Sequence, residues 1–208
     1  GGAKYNLSGI QMIQVANLAD SLVAIKQLVY DEKKCTQKEM LDALKNNFEG
    51  YEILRAMCVN KVPKYGNDID EVDKQGTKWA DYFKNRLRTF KNYRNGPYHT
   101  GMYTVSAHVP MGENVGATPD GRYAGEPLAD GGMSPVYGRD IKGPTAVLKS
   151  VSKLDKTLTT NGGLLNMKFL PEQYRGLTVR VAGYTAYFTE LADELQNEII
   201  ARTSYGDI

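Results

Sequence analysis

Cysteine is nearly absent: Cys35 and Cys58 are the only two in 208 residues. Their spacing fits no metal-binding motif, and both fall in helical patterns, so they are expected as buried free thiols of a cytoplasmic protein. Charge of one sign is lacking too. Lys and Arg number 26 against 24 Asp and Glu, a net charge of +2. That balance gives no basic field for nucleic acid, and no Lys/Arg block supplies one. No apolar run approaches the roughly 20 residues of a membrane span, and the N-terminus has no signal-peptide layout. Internal repeats and low-complexity segments are missing as well. What remains is 41% hydrophobic and 24% charged, ordinary for a globular chain of one or two domains with a sizeable core.

Residues 1–15 predict a loop leading into a short strand. Leu18, Leu22, Ile25 and Val29 then recur at helical spacing, with Lys33 and Lys34 placed to favour a helix C-terminus. Thr36-Gln37-Lys38-Glu39 fits a capping box. Met40, Leu41, Leu44 and Phe48 follow on one face before Gly50 stops the helix. A third amphipathic piece, residues 53–59, ends before Pro63. Asp68, Asp70, Glu71 and Asp73 crowd the start of a long helix whose far end carries Arg86, Arg88, Lys91 and Arg94, which complements the macrodipole. Its expected buried stripe is Val72, Trp79, Phe83, Leu87 and Phe90. Lys64-Tyr65-Gly66-Asn67-Asp68-Ile69-Asp70 resembles a calcium loop but lacks the glycine and the final glutamate at the required spacing, so no metal is expected there.

Asn95-Gly96-Pro97 breaks that helix. Residues 101–112 then alternate, Tyr103, Val105, Ala107, Val109 and Met111 against Thr104, Ser106 and His108, which predicts a strand with one polar face. Two readings of His108 are open: a cavity-lining base, or a hydrogen-bonded structural residue. Glycines from Gly116 to Gly143 predict a long loop held by backbone turns, without the spacing of a phosphate-binding loop. Pro144 suits the first position of a helix carrying Val147, Val151 and Leu154. Asn161-Gly162-Gly163 then turns into a short apolar strand over residues 164–170. A last helix over residues 190–203 buries Leu191, Leu195, Ile199 and Ile200.

One stretch organises the rest. Thr178-Val179-Arg180-Val181-Ala182-Gly183-Tyr184-Thr185-Ala186-Tyr187-Phe188 is a β-branched run interrupted by a single glycine and resumed by aromatics. Read locally, it is a hairpin with a turn or close approach at the glycine. The residues Arg180-Val181-Ala182-Gly183-Tyr184, followed by Leu195-Gln196, Ile199-Ile200 and Arg202-Thr203, resemble the signature loop of the glycyl radical enzymes. The chemistry requires glycine: a radical on a backbone Cα is delocalised when the centre is planar, and without a Cβ nothing clashes as it flattens. The resemblance implies that Gly183 stores a radical, that Val181, Ala182 and Tyr184 shape the loop, and that Arg180 anchors it. It also implies a separate activating enzyme that uses S-adenosylmethionine and a 4Fe-4S cluster, with no cofactor bound by this chain itself.

Further landmarks carry the resemblance along the chain. They include Gly1-Gly2-Ala3-Lys4-Tyr5-Asn6, Asn47-Phe48-Glu49-Gly50-Tyr51-Glu52 and Pro63-Lys64-Tyr65-Gly66-Asn67-Asp68. Gly116-Ala117-Thr118-Pro119-Asp120-Gly121-Arg122 and Gly125-Glu126-Pro127-Leu128-Ala129-Asp130-Gly131-Gly132 continue it. The wording is nearer to the diol dehydratase and choline lyase branch than to pyruvate formate-lyase. The fold implied is α/β: the C-terminal portion of a ten-stranded barrel over residues 1–170, and a glycyl radical domain over 171–208. Two departures stand out. The Cys-Val-Glu loop of the family, which takes the radical, has no counterpart around Cys35 or Cys58. The segment of several dozen residues expected before the radical loop is also missing, because Leu170-Pro171 runs straight into Glu172-Gln173. The chain therefore reads as truncated and internally shortened. Its expected partners are the activating enzyme, a cysteine-bearing remainder of the lyase and a further copy of itself. A stand-alone radical-donor subunit and an inert remnant are the alternatives.

Overall fold

The computed structural model describes residues 4–167, 178–181 and 184–187. Helices α1 (Val15–Ile25) and α4 (Asp70–Leu87) pack against each other at its centre. The contact is built from small residues. Ala16, Ala19, Val23 and Ala24 of α1 are buried, as are Val72, Gly76 and Ala80 of α4. A methyl on Gly76 would lie 3.8 Å from the Ala19 Cβ, which shows how near the two helices come. This overturns the expected face of α1. Leu18 points outward, while Leu22 and Ile25 are only half-buried. An alanine face reads weakly in sequence, yet only small residues permit such an approach. Past Ile25 the helix widens into a π-helical segment, Lys26–Asp31, which rotates Leu28 and Val29 into the core.

Helix α2 (Gln37–Lys45) begins at the expected capping box: the Glu39 amide donates to Thr36 Oγ1 at 3.1 Å, and the Thr36 amide donates to Glu39 Oε2 at 2.7 Å. Met40 and Phe48 are buried, but Leu41 is exposed. Cys35 lies in the bend before α2 rather than in a helix, whereas Cys58 is buried in α3 (Glu52–Asn60). Helix α4 carries its acids first and its bases last, as the macrodipole favours. Of its expected stripe, Val72 and Leu87 are buried, Trp79 and Phe83 are half-buried, and Phe90 is exposed beyond the helix end. Asp73 and Lys84 take interior places instead, each with partners. Ser150 Oγ donates to Asp73 at 2.9 Å, and Lys84 Nζ donates to the Asp155 carbonyl and pairs with Asp81.

Strands β1 (Ser8–Gln11) and β2 (Tyr98–Gly101) pair in parallel, Ser8 opposite Tyr98 and Gln11 opposite Gly101. The other side of β2 is taken by the segment after α6: the Asn161 amide donates to the Thr100 carbonyl at 2.9 Å, and the Met102 amide to the Gly162 carbonyl at 2.8 Å. Among the described residues β1 is therefore the outer edge. The expected strand over residues 101–112 ends almost at once. Val105 sits at φ 55°, and the chain turns into a short helix, α5 (His108–Glu113). Pro110 is tolerated because amides of a first helical turn have no intrahelical acceptor. The apparent alternation was a coincidence of a turn and a helix.

Residues 114–143 form the expected long loop, and Pro144 opens α6 (Pro144–Ser152). The loop passes so close to the end of β2 that a methyl on Gly132 would lie 2.0 Å from the Met102 carbonyl carbon. The expected strand over residues 164–170 is irregular where it is described. Gly163 bridges to Met102, the Met133 amide donates to the Leu164 carbonyl at 3.2 Å, and the Asn166 amide donates to Ser134 Oγ at 2.9 Å. The expected helix over residues 190–203 lies outside the described residues. Among the described residues, no helix is long and apolar enough to cross a membrane.

Candidate active site

The radical-type sequence folds as its β-branched residues dictate. Strands β3 (Thr178–Val181) and β4 (Tyr184–Tyr187) pair antiparallel, with Arg180 opposite Thr185 and Val181 opposite Tyr184. Ala182 and Gly183 are the two residues joining them and lie outside the described residues. The strand pair thus brackets Gly183 on both sides.

A cavity of about 530 Å³ lies against the long loop, and His108, Asp120, Arg122, Asp130, Arg139 and Asn166 are among its walls. His108 stands in this wall on the first turn of α5, not on a strand. Its Nδ1 stands 3.4 Å from Asp130 Oδ1, and both residues are buried. Asn166 Nδ2 donates to the other Asp130 oxygen at 2.5 Å. Three separated segments thereby meet at one carboxylate.

Asn17 of α1 fixes that meeting point from behind. Its Oδ1 accepts from the Ala129 amide at 2.8 Å, and its Nδ2 donates to Asp120 Oδ2 at 2.8 Å. Arg122 spends its guanidinium on the loop, donating to the Glu126 and Val115 carbonyls at 2.6 and 3.0 Å and to the Gly116 carbonyl. Arg55 does the same: Nε donates to the Gly121 carbonyl at 2.9 Å while the guanidinium lies 3.6 Å over the Tyr123 ring. These two cations hold the wall's shape. Asp120 and Asp130 stand inside motifs that mark the family resemblance, yet neither they nor Asn166 carries a role in the sequence alone. An aspartate in a glycine-rich turn satisfies its own backbone so often that only the folded chain separates the two uses.

Below the wall lies a buried ionic group. Asp20 is wholly buried, and its Oδ1 accepts from the Tyr65 amide at 2.7 Å. Burial pushes its carboxyl up to about 8, only partly opposed by the Lys64 ammonium and the Tyr65 amide. Burial likewise lowers Lys64, whose Nζ donates to the Cys58 carbonyl at 2.5 Å. Burial pushes the Cys58 thiol up to about 11, and the Cys35 thiol is raised for the same reason. Neither thiol belongs to the cavity wall. Among the described residues no group of three His, Cys, Asp or Glu is placed to hold a metal ion.

The architecture and its glycine-bracketing hairpin define a class, and comparison with known proteins agrees. Over this length the fold is that of the glycyl radical enzyme barrels. The glycerol-bound B12-independent glycerol dehydratase from Clostridium butyricum superposes with a TM-score of 0.87 at 41% identity, covering 98% of this chain and 31% of that one. The Roseburia inulinivorans protein of 1,2-propanediol dehydration matches equally, TM-score 0.87 at 42% identity, covering 98% of this chain and 32% of that one. Residues 1–112 match the pyruvate formate lyase-like family, and residues 129–174 match the glycine radical family. The chain belongs to the pyruvate formate lyase-like family and carries a glycine radical match that stops before β3, so Gly183 lies beyond it. The probable dehydratase YbiW of Escherichia coli K12 is 38% identical over 259 residues, covering 99% of this chain and 32% of the relative. The chain thus spans about a third of the length of the curated relatives it matches. Since 208 residues cannot fill 259 aligned positions, at least 51 positions of that relative have no counterpart here.

Proposed function

We propose that this chain is the radical-bearing part of a glycyl radical lyase of the dehydratase type, in which Gly183 stores the radical and passes it to a cysteine outside the chain. The observation that carries the reading is the pentapeptide Arg180-Val181-Ala182-Gly183-Tyr184, whose Val181 and Tyr184 pair across β3 and β4 on either side of Gly183, the one residue type with no Cβ to clash as a radical centre becomes planar. In this reading residues 1–170 belong to the barrel and 171–208 form the radical-bearing segment. A separate activating enzyme, supplying S-adenosylmethionine and iron–sulfur chemistry, removes the glycine hydrogen. The names of the relatives support a dehydratase or lyase: they include a trans-4-hydroxy-L-proline dehydratase and an isethionate sulfite-lyase.

The relay cysteine lies elsewhere because Cys58 is sealed in the core and Cys35 sits beside α2, away from the cavity wall. Radical transfer depends on near-contact geometry, where an error of about an ångström costs on the order of a hundredfold. The open edge of β1 supports a second polypeptide segment completing the sheet, from the remainder of the lyase or from a separate lyase chain that uses this one as radical donor. The setting is an anaerobic cytoplasm. The test uses oxygen: a Cα radical adds dioxygen, and the peroxyl product cleaves the backbone. After anaerobic activation and air exposure, mass spectrometry should find a fragment ending near Ala182. Intact protein from a sample with a verified radical would reject the assignment.

A further inference from the structure

Between Asp81 and Glu113 the chain holds Lys84, Arg86, Arg88, Lys91 and Arg94 and no acid. Lys84 is buried and satisfied, but the other four are exposed. The fold brings the N-terminal segment to the same face. Asn6 Nδ2 donates to the Arg94 carbonyl at 3.4 Å, and Asn92 Nδ2 donates to Asn6 Oδ1 at 3.3 Å and to Ser8 Oγ at 3.0 Å. Lys4 therefore joins the four. Among the described residues, none of these five cations forms an ion pair.

Three rings stand among them: Tyr93 is 89% exposed, Tyr5 75% and Phe90 48%. Single exposed aromatics are ordinary, but three together with five unpaired like charges concentrate apolar area and repulsion on one face. On a chain of net charge +2 that patch is a local feature, built from residues 86–94 with Lys4 and Tyr5 folded in beside them. We infer that it is a docking surface for an extended acidic segment of another polypeptide, with apolar side chains between its carboxylates.

Charge complementarity requires an anionic partner. The rings argue against nucleic acid, because each already carries a cation of its own. Arg86 lies 5.0 Å from the Phe90 ring centre, Arg94 lies 5.2 Å from that of Tyr93, and Lys4 lies 5.6 Å from that of Tyr5. Faces so occupied are poor platforms for stacked bases. This surface goes beyond the proposed radical storage and does not depend on it.

The probe is a fluorescein-labelled nonapeptide of alternating glutamate and valine, titrated into the full chain and followed by anisotropy. Binding should saturate and weaken with salt, and Arg88→Glu with Arg94→Glu should lower affinity about tenfold or more. The neutral pair Arg88→Gln with Arg94→Gln gives a smaller loss of the same sign. Phe90→Ser with Tyr93→Ser, which changes no charge, should cost about fivefold. Lys38→Glu with Lys61→Glu makes the same charge change as the first pair, on exposed sites elsewhere, and should leave affinity within about twofold. Variants are compared after the thermal transition reported by Trp79 fluorescence is shown to be retained. Equal loss in the distant lysine pair, no loss in the ring pair, or tighter binding by an oligothymidylate of about a dozen nucleotides would overturn the inference.

Discussion

Asp20 is a carboxyl held where its charged form is costly. In the unfolded chain it ionises near its ordinary value of 3.8, and in the folded chain burial delays this to about 8. Between those values the folded state keeps a proton that the unfolded state has lost, so stability falls as the pH rises through that window. Lys64, lowered by burial, acts in the opposite direction in the window below its ordinary 10.5. Asn in place of Asp20 keeps the oxygen that accepts from the Tyr65 amide and cannot ionise. Urea melts followed by Trp79 fluorescence should show wild-type stability declining from pH 5 to pH 8, and Asp20→Asn should flatten that decline. A wild type more stable at pH 8 would contradict the placement of Asp20. At this scale the sequence is most specific about Gly183, whose proposed role rests on a local demand, the missing Cβ. It was least informative about Asp130, whose meaning depends on His108 and Asn166 arriving from separate segments.

The same division holds for whole elements. The capping box at Thr36 was legible because every atom it uses lies within four residues. The inward face of α1 was not, because it is chosen by α4 and made of alanine. A methyl on Gly76 would meet the Tyr65 ring at 3.5 Å and Ala19 at 3.8 Å, ordinary contact distances. Gly76→Ala should therefore raise stability by about 0.5–1 kcal/mol through helix propensity alone. A loss in urea melts would show the α1–α4 contact to be tighter than described.

The start of α4 makes a stronger demand. Lys153 Nζ stands 2.8 Å from the buried Asp73 and 2.9 Å from both Asp68 and Asp70. Burial alone would lower this ammonium, but the three carboxylates outweigh it and hold it above its ordinary value. Lys153→Met would leave the buried Asp73 carboxyl without its cation and should cost about 3 kcal/mol, whereas a surface pair would cost under 1. A loss in urea melts below about 1 kcal/mol would show that Asp73 does not rely on Lys153.

For the whole molecule, the sequence motifs led to the right family, because glycine-rich turns and the radical pentapeptide keep their wording. They did not reveal what the described residues build: helices with a two-stranded parallel sheet whose β1 edge is unpaired among those residues, a separate antiparallel strand pair, and a loop-walled cavity. Such a surface gains from a neighbour. The central claim, that Gly183 stores the radical, is tested most directly by electron paramagnetic resonance. The anaerobic chain is treated with a cognate activating enzyme, S-adenosylmethionine and reductant. The account predicts a doublet from the one remaining α-hydrogen, collapsing to a singlet when the glycines are α-deuterated, and no signal in Gly183→Ala. An unchanged doublet in Gly183→Ala would contradict it.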